Sequence, residues 1–176
     1  MNQSNSLGPP ATNLISLQEA LRTLGLGLEV AKVRRADIVV TSTGIDVDTP
    51  GEYGHRTYDW GDLGSQSRAQ QRHRRPTPRA APWMDPAALT RWSVLLRVIG
   101  QLLDAQGIRE CTMQVSVATP DDPQECRVTV RANGRVVVDN EQVQLQLLRL
   151  RTRYVDARAV EPPPARRPWW AIWRRD

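Results

Sequence analysis

Residues 14–28, LISLQEALRTLGLGL, and residues 89–103, LTRWSVLLRVIGQLL, carry the same apolar ladder 75 positions apart. Leu14, Leu17, Leu21, Leu24 and Leu28 recur as Leu89, Trp92, Leu96, Ile99 and Leu103, the three-and-four spacing of an amphipathic helix. Gly25 and Gly100, Arg22 and Arg97, Val33-Arg34 and Ile108-Arg109, and Val40 and Val115 keep that register without a gap, as an internal duplication would.

Outward from the second ladder the period changes from helical to alternating. A helix over 87–106 stops at Gly107, and Cys111, Met113, Val115 and Val117 then alternate with Thr112, Gln114 and Ser116, a strand with one buried face. Pro120-Asp121-Asp122-Pro123 reads as a turn. Cys126, Val128 and Val130 alternate with Arg127, Thr129 and Arg131, and Asn133-Gly134 is a hairpin signal leading into Val136–Val138. Asp139-Asn140 then opens a last helix in which Val143, Leu147, Leu150 and Tyr154 form a stripe that Leu145 and Leu148 are expected to widen.

The first copy follows the same plan, with Ile38 and Val40 on one strand, Gly44 at a turn, Ile45 and Val47 on the next, and Tyr58 and Trp60 on the third. The fold class predicted is α+β: a tandem αβββ(α) unit, each copy an antiparallel three-stranded meander with helices on one face, the two packed by a pseudo-twofold. A shift of 78 lays Ser65, Ala69 and Arg72 over Val143, Leu147 and Leu150, which leaves Gly64–Arg75 without an apolar stripe. The domain reading is therefore a disordered N-terminus over 1–13, a first repeat over 14–63, a basic proline-containing linker over 64–86, a second repeat over 87–157, and a proline spacer with a Trp/Arg tail over 158–176.

Charge is concentrated in two of these segments. Residues 64–86 hold five Arg and one Asp, residues 158–176 five Arg, one Glu and one Asp, while the whole chain carries +5; the remainder is mildly acidic. Basic arms on an acidic body suit anionic partners. Lys32 is the one lysine and Phe is absent, a composition that a GC-rich genome also produces.

The least ordinary stretch is the tail, Arg166-Arg167-Pro-Trp169-Trp170-Ala-Ile172-Trp173-Arg174-Arg175. Three indoles and an isoleucine between arginine pairs suit a groove on a protein partner, an anionic membrane interface, or a patch on the chain's own body. The linker arginines Arg68, Arg72, Arg74, Arg75 and Arg79, with Gln70, Gln71 and His73 among them, read as a solvated connector or as phosphate contacts to nucleic acid. Asp37, Asp46, Asp48 and Asp59 fall in the polar phase of the first sheet and Arg127, Arg131 and Arg135 are assigned to the second, charges that suit ordinary solvated faces or a homodimer.

Chemistry-bearing patterns are sparse. Asp46, Asp48 and Glu52 invite comparison with a metal-dependent nuclease, but a Glu-x-Lys strand is missing and the second copy lacks matching acids. There is no Gly-x-Ser-x-Gly, and Gly25-Leu-Gly27 lies inside a helix rather than after a strand, so it is no phosphate loop. Cys111 and Cys126, opposite Ala132 and Val117 on neighbouring strands, read as buried reduced thiols rather than a disulfide. No N-terminal signal and no membrane-length apolar run is present. The expectation is a cytoplasmic, non-enzymatic adaptor or scaffold without catalytic residues, metal or cofactor, which docks to a protein partner or peripherally to an anionic membrane through its tail.

Overall fold

The computed structural model describes residues 15–72, 84, 88–117 and 126–160, with backbone alone for 157–160. The expectations for 1–13, for His73, Arg74, Arg75 and Arg79, for the turn at 120–123 and for the Trp/Arg tail lie outside the described residues.

The chain runs through helix α1 (Leu17–Val30), strands β1 (Arg35–Val40), β2 (Gly44–Asp48) and β3 (His55–Asp59), and helix α2 (Trp60–Arg72). A 3-10 turn at Ala88–Thr90 precedes helix α3 (Trp92–Ala105), strands β4 (Cys111–Ser116), β5 (Arg127–Ala132) and β6 (Arg135–Asp139), and helix α4 (Asn140–Val160). The architecture is α+β, with helices packed on an antiparallel sheet.

The sheet order is β3-β2-β1-β4-β5-β6. The two expected meanders thus join through their first strands into one six-stranded sheet, with Ile38 across from Met113 and Val40 across from Cys111. Ala36, Ile38, Val40, Cys111, Met113, Val115, Val128 and Val130 are buried toward the helices, whereas Asp37, Thr112, Gln114, Arg127 and Arg131 on the other side are exposed. Strict alternation is what a sheet covered on one face requires.

α1 and α3 lie antiparallel at van der Waals range because neither carries a side chain at the contact. A Cβ on Gly25 would sit 2.7 Å from the Ser93 backbone, and one on Gly100 would sit 2.5 Å from Gln18 Cα. The ends are tied across the pair. Glu29 accepts from the Ser93 amide at 3.2 Å and its hydroxyl at 2.9 Å, and Asp104 accepts from the Gln18 amide at 3.0 Å. Each carboxylate satisfies an amide in the first turn of the opposite helix and complements its dipole. Both contact pairs map onto each other when 75 is added to a residue number. The helix ends correspond as well: Val33 N donates to Leu28 O after Lys32 at φ 54, and Ile108 N donates to Leu103 O after Gly107 at φ 69.

Strand register agrees with expectation. β4 and β5 pair Thr112 with Arg131 and Ser116 with Arg127, which sets Cys111 across from Ala132 and Cys126 across from Val117, and both thiols are buried. Asn133 and Gly134 have φ values of 50 and 75, the two left-handed residues of a type I′ hairpin.

Five expectations are corrected. The helix expected over 87–106 begins at Trp92, where Glu29 caps its first turn, and Leu89 packs half-buried in the 3-10 turn before it. Trp60 opens α2 instead of ending β3, because Asp59 accepts from the Asp62 amide at 2.7 Å and caps the helix there. Residues 64–72, assigned to the linker, are the rest of that helix, with Leu63, Gly64 and Ser67 buried. Leu145 and Leu148 do not widen the packed stripe of α4; both are exposed. Arg135 pairs with Ala132 past an irregularity in β5–β6, so it shares the helix-side phase rather than the open face of Arg127 and Arg131.

Candidate interaction surface

α4 is fixed at its start and is less deeply buried after Leu147. Asp139 accepts from the Gln142 amide at 3.0 Å while Gln142 accepts from the Asp139 amide at 3.2 Å, a reciprocal capping box. Asn140 donates to Cys126 O at 3.0 Å and accepts from the Val128 amide, which pins the first turn to β5. Val143 and Leu147 are fully buried, Leu150 and Tyr154 half-buried, and no side chain described after Leu147 is fully buried.

At 3.6 residues per turn, Val143, Leu147, Leu150 and Tyr154 fall within an arc of roughly 60°. Leu145, Leu148, Thr152 and Val155 fall on the opposite side, and Leu145, Leu148 and Val155 are 46%, 59% and 53% exposed. The helix therefore has two apolar stripes, one on the core and one on solvent. Exposed Arg149 and Arg153 border the outer stripe on one side and half-buried Arg151 on the other, with no acidic residue between Glu141 and Asp156.

α2, its counterpart in the first half, has no outer stripe. Matching the two caps, Asp59 with Asp139, aligns Leu63 with Val143, Ser67 with Leu147 and Gln70 with Leu150. Its seam with α1 is polar: buried Arg22 donates to Glu19 at 2.9 Å and to Gln70 at 3.4 Å. Arg68 and Arg72 are exposed on α2, Arg68 reaching Ser65 at 3.4 Å.

The open sheet face carries the other candidates. Asp37 stands across from Asp48, and Asp46 lies across from Thr57, whose hydroxyl donates to it at 2.6 Å. Arg35, Asp37, Asp48, Thr49 and Pro50 line a shallow recess of about 290 Å³. Glu52 is exposed in the β2–β3 connection, and Lys32 follows α1 in the turn before β1 rather than lying on a strand beside these acids. Among the described residues no three His, Cys, Asp or Glu side chains are placed to hold a metal ion. His55 is exposed on β3.

Burial pushes the Cys111 thiol up to about 11, which keeps it protonated and unreactive at neutral pH. Burial, reinforced by the hydrogen bond to the Tyr58 hydroxyl, holds the Tyr53 phenol well above its ordinary range. Among the described residues no helix is long and apolar enough to cross a membrane.

The sequence named every residue of the outer stripe except Thr152 and Val155 but placed its leucines on the packed side. The signal that separates them is angular, since Leu145 and Leu148 lie roughly 100–160° around the helix from Val143 and Leu147. Family models, curated proteins and solved structures yield no match to this chain, so the surface is read from its own chemistry.

Proposed function

We propose that this protein is a non-enzymatic adaptor or scaffold: an α+β body that docks through its C-terminal region, the outer face of α4 continuing into the Trp/Arg tail. The observation that carries this reading is the second apolar stripe of α4, three large side chains each about half exposed on a helix whose opposite stripe already serves the core. Apolar groups on one side of an anchored helix are a recognition feature that folding does not need. Trp169, Trp170, Ile172 and Trp173 add apolar anchoring, and Arg166, Arg167, Arg174 and Arg175 add orientation. We also infer that the body arose by tandem duplication, which the repeated glycine contacts and crossed carboxylate caps support.

The test is a photoreactive amino acid at position 170 of the full chain, illuminated in cells that express it. Adducts to a second molecule are expected, together with an unchanged thermal transition when Trp169, Trp170 and Trp173 are all replaced by Ala. No adduct, or a collapse of the transition, would overturn the reading.

Arg68 and Arg72, exposed one turn apart on α2, favour a second reading, contact with nucleic acid. Its mark is affinity that falls steeply with salt and is lost when both are changed to Gln; salt-insensitive binding, or none, contradicts it.

A further inference from the structure

We propose that the open face of the sheet docks a second copy of this chain, related to the first by a twofold axis that runs along the strands between β1 and β4. Because the meanders join through those two strands, acids and arginines that the sequence assigned to separate sheets share one face. Asp37 lies on β1, Asp46 and Asp48 on β2, and exposed Arg127 and Arg131 on β5. β2 and β5 are three strand spacings apart, about 14 Å, too far for these groups to meet within one chain. Asp37 and Asp48 instead stand directly across from each other, with Arg35 bordering them at one end. Like charges directly opposite are destabilising, and cations brought by another molecule offset that cost.

Register determines how two such faces fit. The pairings set Thr57, Asp46, Val39, Thr112, Arg131 and Val136 in one row across the sheet. A twofold along the strands reverses that row, so Asp46 of one copy faces Arg131 of the other, Val39 faces Thr112 and Thr57 faces Val136, each contact made twice. In the next row His55 comes opposite Asp139, and Asp48 lies level with Thr129, between Arg127 and Arg131 of the second copy. A twofold running across the strands would set acid on acid and arginine on arginine, so charge selects the axis. Packed sheets lie about 10 Å apart with their strands within about 30° of one another, a gap that an Asp and an Arg span together. Six strands of five or six residues cover roughly 29 by 17 Å, about 1,000 Å² over both copies, the lower limit for a specific interface. The dimer is therefore weak and reversible, and its charges set the pairing more than its area does. The outer stripe of α4 lies on the helix side of the sheet and takes no part in this contact.

The experiment is sedimentation velocity of the full chain over a micromolar concentration series, at ~0.05 and ~0.3 M salt. The samples are the wild type, Asp46→Arg/Asp48→Arg, Arg127→Glu/Arg131→Glu, and an equimolar mixture of the two variants. The wild type shows a monomer–dimer equilibrium that weakens at the higher salt. Each variant alone sets like charges at these contacts and dimerises roughly a hundredfold more weakly or worse. The mixture recovers a dimer within about tenfold of the wild-type affinity, because the all-arginine face of one chain meets the all-acidic face of the other. Recovery in the mixture also shows that both variants fold. If a reversal lowers the urea midpoint, Asp46→Asn/Asp48→Asn and Arg127→Gln/Arg131→Gln take its place, each expected to weaken the dimer about tenfold. A wild type that sediments as a monomer at every concentration overturns the proposal, whether the face meets solvent, another segment of the chain or a different partner. A dimer that survives either reversal overturns it too, and so does a mixture of two folded variants that stays monomeric.

Discussion

Helices α2 and α4 leave their strands in the same way and then diverge. Each starts directly after a strand, with an aspartate accepting from the amide three residues on, Asp59 from Asp62 and Asp139 from Gln142. α2 then holds to the body by Leu63, by small Ser67 and by the polar link from Gln70 to Arg22, and ends at Arg72. α4 holds by Val143, Leu147 and Leu150, runs to Val160, and carries a second apolar stripe outward. The cap determines where a helix begins; what its two sides meet determines what it is for. In the first half the side away from the body is polar, and in the second it is apolar.

The shared frame of the two halves is the most sensitive place to break. Gly25→Leu and Gly100→Leu should each cost about 3 kcal/mol, read as a lowered urea midpoint, because the new side chain lands on backbone that cannot move aside. Similar losses at the two positions are the mark of a reciprocal contact; a large loss at one alone would break the equivalence of the halves.

Giving α4 the residue of α2 comes next. Leu147→Ser removes a fully buried side chain and should cost about 2–5 kcal/mol, read as a lowered urea midpoint. A change below 1 kcal/mol would mean that α4 is as lightly held as α2.

A third difference is titratable. Cys111 takes the place that Ala36 holds 75 residues earlier, and both are buried. The folded thiol is raised to about 11 from the usual 9, so the folded state binds its proton more tightly than the unfolded one. The stability this gives is complete below about pH 9 and is lost as pH climbs through about 11. Urea midpoints should therefore fall over that window, and Cys111→Ala, which copies the first half into the second, should flatten the fall; the raised Tyr53 phenol adds a decline that the variant keeps.

The smallest effect is a gain. Lys32 and Gly107 end corresponding helices, both at positive φ, and Lys32 bears the strain that Gly107 avoids. Lys32→Gly should stabilise by about 0.5–1 kcal/mol, measured by urea unfolding, since a glycine at a left-handed helix end removes the Cβ clash.

Local pattern carried most of the fold. Alternation at Cys111–Val117 and Cys126–Val130 with the Asn133-Gly134 turn gave register as well as strands, because a period of two admits only one buried phase. The joining of the meanders through β1 and β4 was not legible, since Ile38 and Met113 meet across 75 residues with no local signal. The length of α2 was missed because a shift of 78 aligned Ser65 and Ala69 with the α4 stripe, whereas the caps align Leu63 and Ser67, the residues actually buried. The outer face of α4 was hidden for a related reason: a count of apolar residues merges two stripes that the helix turns to opposite sides. The tail was singled out by composition alone and lies outside the described residues.

The claim that α4 has one side for the body and one for a partner is tested most directly by equilibrium unfolding of the Leu145→Gln/Leu148→Gln/Val155→Gln chain beside Val143→Ala. The triple variant is expected to unfold within about 0.5 kcal/mol of the wild type, as surface changes do, while Val143→Ala loses about 1 kcal/mol or more. A triple variant destabilised as much as Val143→Ala would contradict it, because the outer stripe would then belong to the core.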